Sequence, residues 1–331
     1  MPGRRARRRA TIARLATAVV ALAAWPAAAH AHPGRPVEPH DLWTAWSWEP
    51  ASVLLLALSA LLYARGSRRL ARRSTHGTPA RRRDALLFWC GWALLALALV
   101  SPLHALGGAL FSAHMVQHEL LVALAAPLLV SARPAAAMLW ALPPAPRGVA
   151  GGVASAGAAR GAWRLATHPL VAFVVQAAVL WGWHLPGPYQ ATLRSEIVHA
   201  LQHASFLVAA GLFWWSVLHA RPSSGGAGAA VASLFGTTIH TGALGALLTL
   251  TDRPWYPSYG RSAWAWGLTP LEDQQLAGLV MWIPACLAYV VAALWIARRW
   301  LVEPDPGRLA RPPVVAHPSA AAAAAMRGGE S

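Results

Sequence analysis

Residues 110–131 read LFSAHMVQHELLVALAAPLLVS, an apolar run with two histidines near its start. A helix needs about 20 predominantly apolar residues to cross a bilayer, and this run is long enough. Polar ligating side chains are costly inside hydrocarbon, so their presence there indicates function. The run therefore predicts a membrane-spanning helix that carries a functional site near its first turns.

The same histidine spacing occurs twice in the chain. His114-Met-Val-Gln-His118 lies in this run, and His199-Ala-Leu-Gln-His203 lies near the start of another apolar segment. On a helix, side chains four residues apart share one face and are separated by one turn. Each pair can therefore chelate a metal ion, and the repetition is hard to explain by packing alone.

The composition is typical of a membrane protein. Of the 331 residues, 56% are hydrophobic and 12% are charged, with a mean hydropathy of +0.41, whereas a soluble domain has about 25% charged residues. The formal charge of +16 comes mostly from arginines between apolar segments. Arginines placed there attract anionic lipid, which argues against nucleic-acid binding. Cys90 and Cys286 both lie in apolar segments and exclude a disulfide framework.

Residues 1–31 are predicted to be a cleaved signal peptide. Five arginines between residues 4 and 9 precede a short apolar core, Leu15 to Ala24, and Ala29-His30-Ala31 supplies small residues for cleavage. The core is about half as long as a membrane span. Cleavage would leave the mature amino terminus outside the cytoplasm.

Seven further apolar segments are long enough to span a membrane. They predict an all-α membrane protein, a bundle of seven transmembrane helices over residues 32–300, followed by a disordered cytoplasmic tail over residues 301–331. Residues 148–162, rich in glycine, alanine and serine, predict a flexible linker. The seven segments are Trp48–Ala64, Ala85–Leu103, Leu110–Ser131, Pro169–Trp183, Ile197–His219, Ala229–Leu250 and Ala277–Ala297.

The distribution of arginines predicts the orientation of the bundle. With the mature amino terminus outside, the loops and tail predicted to be cytoplasmic hold 18 arginines, and the outer loops hold four. An arginine excess on the cytoplasmic side is the general rule for membrane proteins. Residues 251–276, which are rich in tryptophan, tyrosine and proline, then predict an ordered cap on the outer side.

In this orientation the two histidine pairs are expected to lie level with each other. At 1.5 Å per residue, His114 and His118 lie about 6 and 12 Å below the outer end of their segment. His199 and His203 lie about 3 and 9 Å below the outer end of theirs. Four imidazoles in the outer leaflet predict a shared metal site.

Three further residues are weaker candidates as metal ligands. His184 lies at the outer end of the fourth segment, where it also fits a hydrated rim position, and His240 lies near the middle of the sixth, where an interhelical hydrogen bond explains it as well. Met281 fits apolar packing, although a thioether suits reduced copper. Four polar residues at the same level could hydrogen-bond a ligand or move a proton: Glu119, Glu196, Asp273 and Gln274.

An ordered set of motifs resembles the integral-membrane CtaG-type assembly factors of cytochrome c oxidase. The set covers most of residues 43–300, and its specificity lies in the order rather than in any one motif. In chain order the motifs are Trp43-Thr-Ala-Trp46-Ser-Trp48; His114-Met-Val-Gln-His118 followed by Ala-Ala-Pro127-Leu-Leu; Trp183-His184-Leu-Pro186 with Tyr189; His199-Ala-Leu-Gln-His203-Ala-Ser-Phe206; His240-Thr-Gly242; and Pro270-Leu-Glu-Asp273-Gln274-Gln-Leu-Ala-Gly278 with Met281-Trp282.

The resemblance implies a non-enzymatic factor of the bacterial plasma (inner) membrane that takes part in maturing haem-copper oxidase. Its partners would be the oxidase subunits and the lipid bilayer. The resemblance also implies that copper is handled or inserted at the outer, periplasmic face. Imidazoles with an available thioether suit copper better than zinc.

Two other functions would use the same histidines. A b-type cytochrome would hold haem b between one histidine of each pair. A membrane metalloenzyme such as a di-iron oxygenase would need carboxylates beside the histidines, and Glu119 and Glu196 are the ones close in sequence. The sequence leaves these alternatives open.

Overall fold

The structure, a computed structural model, describes residues 36–73, 77–220, 226–260 and 262–302. Within these ranges the chain is helical, with short 3-10 turns and no strand. The predicted signal peptide lies outside the described residues, as does the predicted tail after Val302. We number the helices α1 (Pro50–Arg73), α2 (Thr78–Val100), α3 (Pro102–Ala109), α4 (Phe111–Ala132), α5 (Pro134–Ala141), α6 (Pro144–Ser155), α7 (Gly157–Ala166), α8 (Pro169–His184), α9 (Pro186–Thr192), α10 (Glu196–Leu218), α11 (Gly226–Leu250) and α12 (Pro270–Val302).

Six of these helices are long and apolar enough to cross a membrane, namely α1, α2, α4, α10, α11 and α12. Helices α7 and α8 together pass the same test but are bent by 65° at the break between them. The prediction of an all-helical membrane bundle is confirmed, with six crossings, or seven if the bent pair is one crossing.

The first crossing continues well past its apolar run. Helix α1 ends at Arg73, whereas hydropathy alone placed the end near Ala64. Arginine is a strong helix former, so the helix persists after the apolar residues stop. Its basic end is bound to α5, because Arg69 Nη1 donates to the carbonyl of Ala141 at 2.8 Å. A side chain at Gly66 would overlap the Ala137 carbonyl, so this glycine permits the close approach.

The prediction that residues 148–162 form a flexible linker is wrong. They lie in α6 and α7, two exposed helices without buried residues. Alanine and arginine favour helix strongly enough to outweigh the glycines. Trp163 of α7 lies edge-on to Trp215 of α10, with ring centroids 5.2 Å apart, which attaches α7 to the bundle.

A π-helical turn, Leu120–Ala125, interrupts the third crossing, α4. In a π turn each N–H bonds to the carbonyl five residues earlier, so the carbonyl of Val122 would need the N–H of residue 127. That residue is Pro127, which has no N–H. The indole Nε1 of Trp214 donates to the Val122 carbonyl instead, at 2.8 Å. Such turns occur often at functional sites, and this one follows directly after His118 and Glu119.

Small residues bring α11 and α12 into close contact. A Cβ added at Gly245 would lie 2.7 Å from the carbonyl oxygen of Gly278, and one added at Gly278 would lie 2.6 Å from the carbonyl oxygen of Gly245. Helices in membranes associate through such close backbone approach, because apolar burial gives little drive between them. This pair fixes the position of α12, which supplies part of the site described below.

The two ends of the bundle differ in chemistry. At one end, the arginine end, α1 finishes in Arg72 and Arg73, and Arg133 Nε donates to His219 Nε2 at 2.9 Å across the ends of α4 and α10. At the other, the histidine end, α4 and α10 begin, and the loop of residues 251–260 and 262–269 covers the bundle. That loop is packed, as predicted, with Tyr256 and Tyr259 buried.

Candidate metal centre

Six histidines from four helices come together at the histidine end. Helix α3 contributes one, α4 and α10 contribute one pair each, and α8 contributes its last residue. We call these the histidine cluster: His104, His114, His118, His184, His199 and His203.

The two predicted pairs do meet, and three of their four members are close enough for one metal ion. The ring centroids of His114 and His199 are 5.0 Å apart, and those of His199 and His203 are 4.2 Å apart. One ring nitrogen from each of these three residues lies within 4.8 Å of the others. We call this set the outer triad.

His118 lies beside the triad rather than within it. Its ring centroid is 4.4 Å from that of His114 and 5.6 Å from that of His203. Both ring nitrogens of His118 are buried and have no hydrogen-bond partner among the described residues. An imidazole in that condition is available to a ligand.

Hydrogen bonds determine which nitrogen His114 presents. Its Nε2 lies 3.3 Å from Gln202 Oε1, and with this oxygen as the acceptor Nε2 carries the proton. The lone pair is then on Nδ1, which is buried and without a partner in the described part of the chain. A glutamine on α10 therefore sets the tautomer of a histidine on α4, the role that outer hydrogen-bond partners play in metal sites.

His104 presents the opposite tautomer. Gln117 Nε2 donates to the carbonyl of Ala98 at 2.7 Å, which fixes the amide orientation, and it lies 2.9 Å from His104 Nδ1. Nδ1 therefore accepts, and Nε2 carries the proton. His104 stacks on His199 with ring centroids 5.2 Å apart, and it is not a member of the outer triad.

Carboxylates flank His104 at the rim of the cluster. Burial lowers the pKa of His104, and the charges of Glu49 and Glu196 oppose that shift. Glu196 is exposed at the start of α10. Glu119, the other predicted acidic neighbour, lies within electrostatic range of Tyr289 and Cys286, and its Oε2 is buried.

Of the three weaker ligand candidates, His184 lies in the histidine cluster, whereas His240 and Met281 lie outside it. His184 belongs to the cluster, with its ring centroid 6.2 Å from that of His118. His240 lies on α11 against Phe173, centroid to centroid 5.5 Å. Met281 is buried in the main apolar core. The thioether that contacts a cluster histidine is that of Met115, whose Sδ is 3.4 Å from His184 Nε2.

Met115 was not among the predicted ligands, although it lies inside the first histidine motif. It precedes His118 by three residues, so the two side chains lie on neighbouring parts of one helix surface. That spacing is the signal that could have identified it. Met115 is fully buried.

Three tyrosines cover the cluster. Tyr189 lies against His114 with ring centroids 5.2 Å apart, and its hydroxyl is 2.9 Å from that of Tyr259. The hydroxyl of Tyr256 donates to the carbonyl of His184 at 2.6 Å. Burial raises the pKa of Tyr256 and Tyr259, so both phenols stay protonated and keep donating.

Asp273 and Gln274 were predicted to hydrogen-bond a metal ligand or to move a proton. Their side chains accept hydrogen bonds from backbone N–H groups instead. Asp273 Oδ1 accepts from both the N–H and the hydroxyl of Ser112, and Oδ2 accepts from the N–H of Phe111. Gln274 Oε1 accepts from the N–H of Trp255 at 2.6 Å, which holds the covering loop. Asp273 therefore positions the start of α4, and Gln274 positions the loop that covers the histidine cluster.

Comparison with known proteins gives one family. The family model described as cytochrome c oxidase caa3 assembly factor matches residues 61–303. No curated protein and no solved structure matches the chain. The matched range contains the whole histidine cluster together with Met115 and Asp273.

Proposed function

The chain belongs to the cytochrome c oxidase caa3 assembly factor family, and on that premise we propose that it binds copper at the outer triad and passes it to the oxidase. Family membership gives oxidase assembly as the function. The copper, its ligands and the side of the membrane are the proposal. The ligands are His114, His199 and His203, with His118 beside them.

The observation that carries the proposal is the meeting of three imidazole nitrogens within 4.8 Å. Nδ1 of His114 and Nε2 of His199 and His203 are buried, with no hydrogen-bond partner in the described ranges. Leaving a buried polar atom unsatisfied costs about 1–3 kcal/mol. One ion that draws the three nitrogens to a bond length of about 2 Å would satisfy three such atoms together.

The oxidase that the family assembles and the number of protein ligands both favour copper as the bound metal. Imidazole binds copper, zinc, iron and nickel, so the nitrogen set alone does not choose among them. The client of the family is a haem-copper oxidase, and copper is the metal that a factor and this client would share. A set of three protein ligands leaves a further coordination position open, as a site that must release its ion requires.

A route for the ion leads past His104. Glu49 and Glu196 lie near enough to His104 to affect its charge, and carboxylates at a mouth raise the local concentration of cations. His104 stacks on His199, a member of the triad. A cation attracted to Glu49 and Glu196 would therefore have to pass only the ring of His104 to reach the triad.

Charge also supports the placement of the site outside the cytoplasm. The arginine end of the bundle lies opposite the histidine end, and arginine-rich ends face the cytoplasm. The triad would then face the periplasmic side of a bacterial plasma membrane. The partners at that face would be the oxidase subunits.

The test is metal analysis of protein purified in detergent without chelator. We expect copper in the wild type, and less in a His199→Ala/His203→Ala double variant that remains inserted in the membrane. His240→Ala is the matched control, because His240 is a membrane histidine that lies outside the cluster. In a deletion strain, the control variant should restore oxidase activity and the double variant should not.

Two results would contradict the proposal. Equal copper in the wild type and the double variant would remove the outer triad as the site. A Soret band in the purified protein, with no copper, would replace copper by haem b and favour a b-type cytochrome.

A further inference from the structure

The contact between His184 and Met115 is not a hydrogen bond. His184 Nδ1 lies 2.7 Å from the carbonyl oxygen of Leu180, one turn earlier on α8, so Nδ1 carries the proton and donates it. Nε2 of the neutral ring is then a lone pair, and it lies 3.4 Å from Met115 Sδ. A thioether has no proton to give. Two lone-pair atoms therefore lie side by side in a buried place.

His118 completes this arrangement from the other side. Its two ring nitrogens are buried and without a partner in the described segments. A metal–nitrogen bond of about 2.0 Å, with the nitrogen about 1.1 Å from its ring centroid, allows two imidazoles on opposite sides of one ion to have centroids up to about 6.2 Å apart. The centroids of His118 and His184 are 6.2 Å apart, at that limit, so an ion would lie in line between the two rings.

We propose that His118, His184 and Met115 form a second, deeper copper site, specific for Cu(I). The inference rests on the proposed copper function and adds a distinct ligand set to it. The thioether is a soft ligand that selects Cu(I), and the two imidazoles bind copper without adding negative charge, so the set favours Cu(I) over Cu(II) and over zinc. The three side chains are 0–4% exposed. The site is deeper than the outer triad in the sense that it is more completely buried, since His199 of the triad is partly exposed.

The charge of the ion agrees with the burial of the site. The cost of burying an ion in a medium of low dielectric rises with the square of its charge, so a divalent ion would cost about four times as much as a monovalent one. Neither the imidazoles nor the thioether would neutralise that charge. Phe206 closes the site on another side, with its ring centroid 4.6 Å from that of His118 and 6.3 Å from that of His184.

The two sites are close enough for an ion to pass between them by ligand exchange. The ring of His118 is 4.4 Å from that of His114 and 5.6 Å from that of His203, both members of the outer triad. Copper stays Cu(I) throughout, so no oxidant or reductant is needed. The deeper site would hold copper away from water until the outer triad is free to release it to the oxidase.

The test is X-ray absorption at the copper edge on anaerobic, detergent-purified protein loaded with Cu(I). The wild type should show sulfur scattering together with nitrogen scattering. Met115→Leu should abolish the sulfur contribution and weaken Cu(I) retention against a competing chelator by about tenfold or more. Leucine conserves the volume of methionine, so the fold should survive. Met281→Leu is the matched control, since Met281 is equally buried but belongs to the apolar core, and it should leave the spectrum unchanged.

The outcomes separate this inference from the proposed function. Bound copper with nitrogen scattering only in the wild type would overturn the deeper site and leave the outer triad standing. Sulfur scattering that persists in Met115→Leu would also overturn it. No bound copper at all in the wild type would overturn both proposals.

Discussion

Asp273 and Phe111 are 162 residues apart in the sequence, yet Oδ2 of Asp273 accepts a 2.7 Å hydrogen bond from the backbone N–H of Phe111. The first turn of a helix has backbone N–H groups without an intrahelical partner, and a preceding polar residue normally caps them. The residue before this helix is Leu110, which has no polar side chain. A carboxylate from α12 therefore caps the amino-terminal end of α4, three residues before His114.

Replacing Asp273 by alanine should destabilise the protein and weaken its site. The N–H groups of Phe111 and Ser112 would be left buried without a partner, at a cost of about 1–3 kcal/mol each. The measurement is thermal unfolding in detergent, together with copper retention. Asp252→Ala is the control, because the Asp252 side chain is 91% exposed and its removal should change stability by less than about 0.5 kcal/mol. Equal unfolding temperatures for the two variants would show that the cap contributes nothing.

Gln202→Leu should lower copper affinity with little effect on folding. The substitution removes the acceptor that fixes the tautomer of His114, and losing such an outer partner typically costs 10–100-fold in metal affinity. Chelator competition on the purified variant measures this. Gln176→Leu is the matched control, since Gln176 is also a buried membrane glutamine but bonds to Tyr289. A Gln202→Leu variant that holds copper like the wild type would show that the tautomer does not matter.

Gly278→Ala should loosen the pairing of α11 and α12. The added methyl group would meet the carbonyl oxygen of Gly245 at 2.6 Å, so the backbones would have to separate. Overpacking of this kind costs about 1–3 kcal/mol. Gly211→Ala, in the middle of α10, meets no atom within 4 Å and should be neutral or stabilising by up to about 1 kcal/mol. Unfolding temperatures that fail to separate the two variants would contradict this account of the helix pair.

Much of the fold could be predicted from hydropathy, because an apolar run of the right length must become a helix in a membrane. The meeting of the two histidine pairs followed from the parity of the crossings, since α4 and α10 start at the same end. The far end of α1 could not be predicted that way, because arginine extends a helix without any apolar signal. The π turn could not be predicted either, since it depends on the indole N–H of Trp214, which comes from another helix.

The details of the site could not be predicted from the sequence, because they depend on contacts between different helices. Which nitrogen of His114 is free depends on Gln202, and which nitrogen of His104 is free depends on Gln117. The spacing of Met115 and His118 places both side chains on one helix surface, but it gives no partner for the thioether. Only its contact with His184, which comes from α8, gives it a chemical role.

The orientation of the bundle has a direct test by cysteine labelling. A background with Cys90→Ser and Cys286→Ser receives one new cysteine, either Asp252→Cys at the histidine end or Ser155→Cys in the exposed helix α6. The positive-inside rule predicts that a membrane-impermeant maleimide labels Asp252→Cys in intact spheroplasts. Ser155→Cys should react only after the membrane is opened, because α6 lies in the segment that connects α4 to α8 at the arginine end. The reverse pattern would place the histidine cluster on the cytoplasmic side. Copper delivery at the periplasmic face would then be wrong, even if copper binding itself were established.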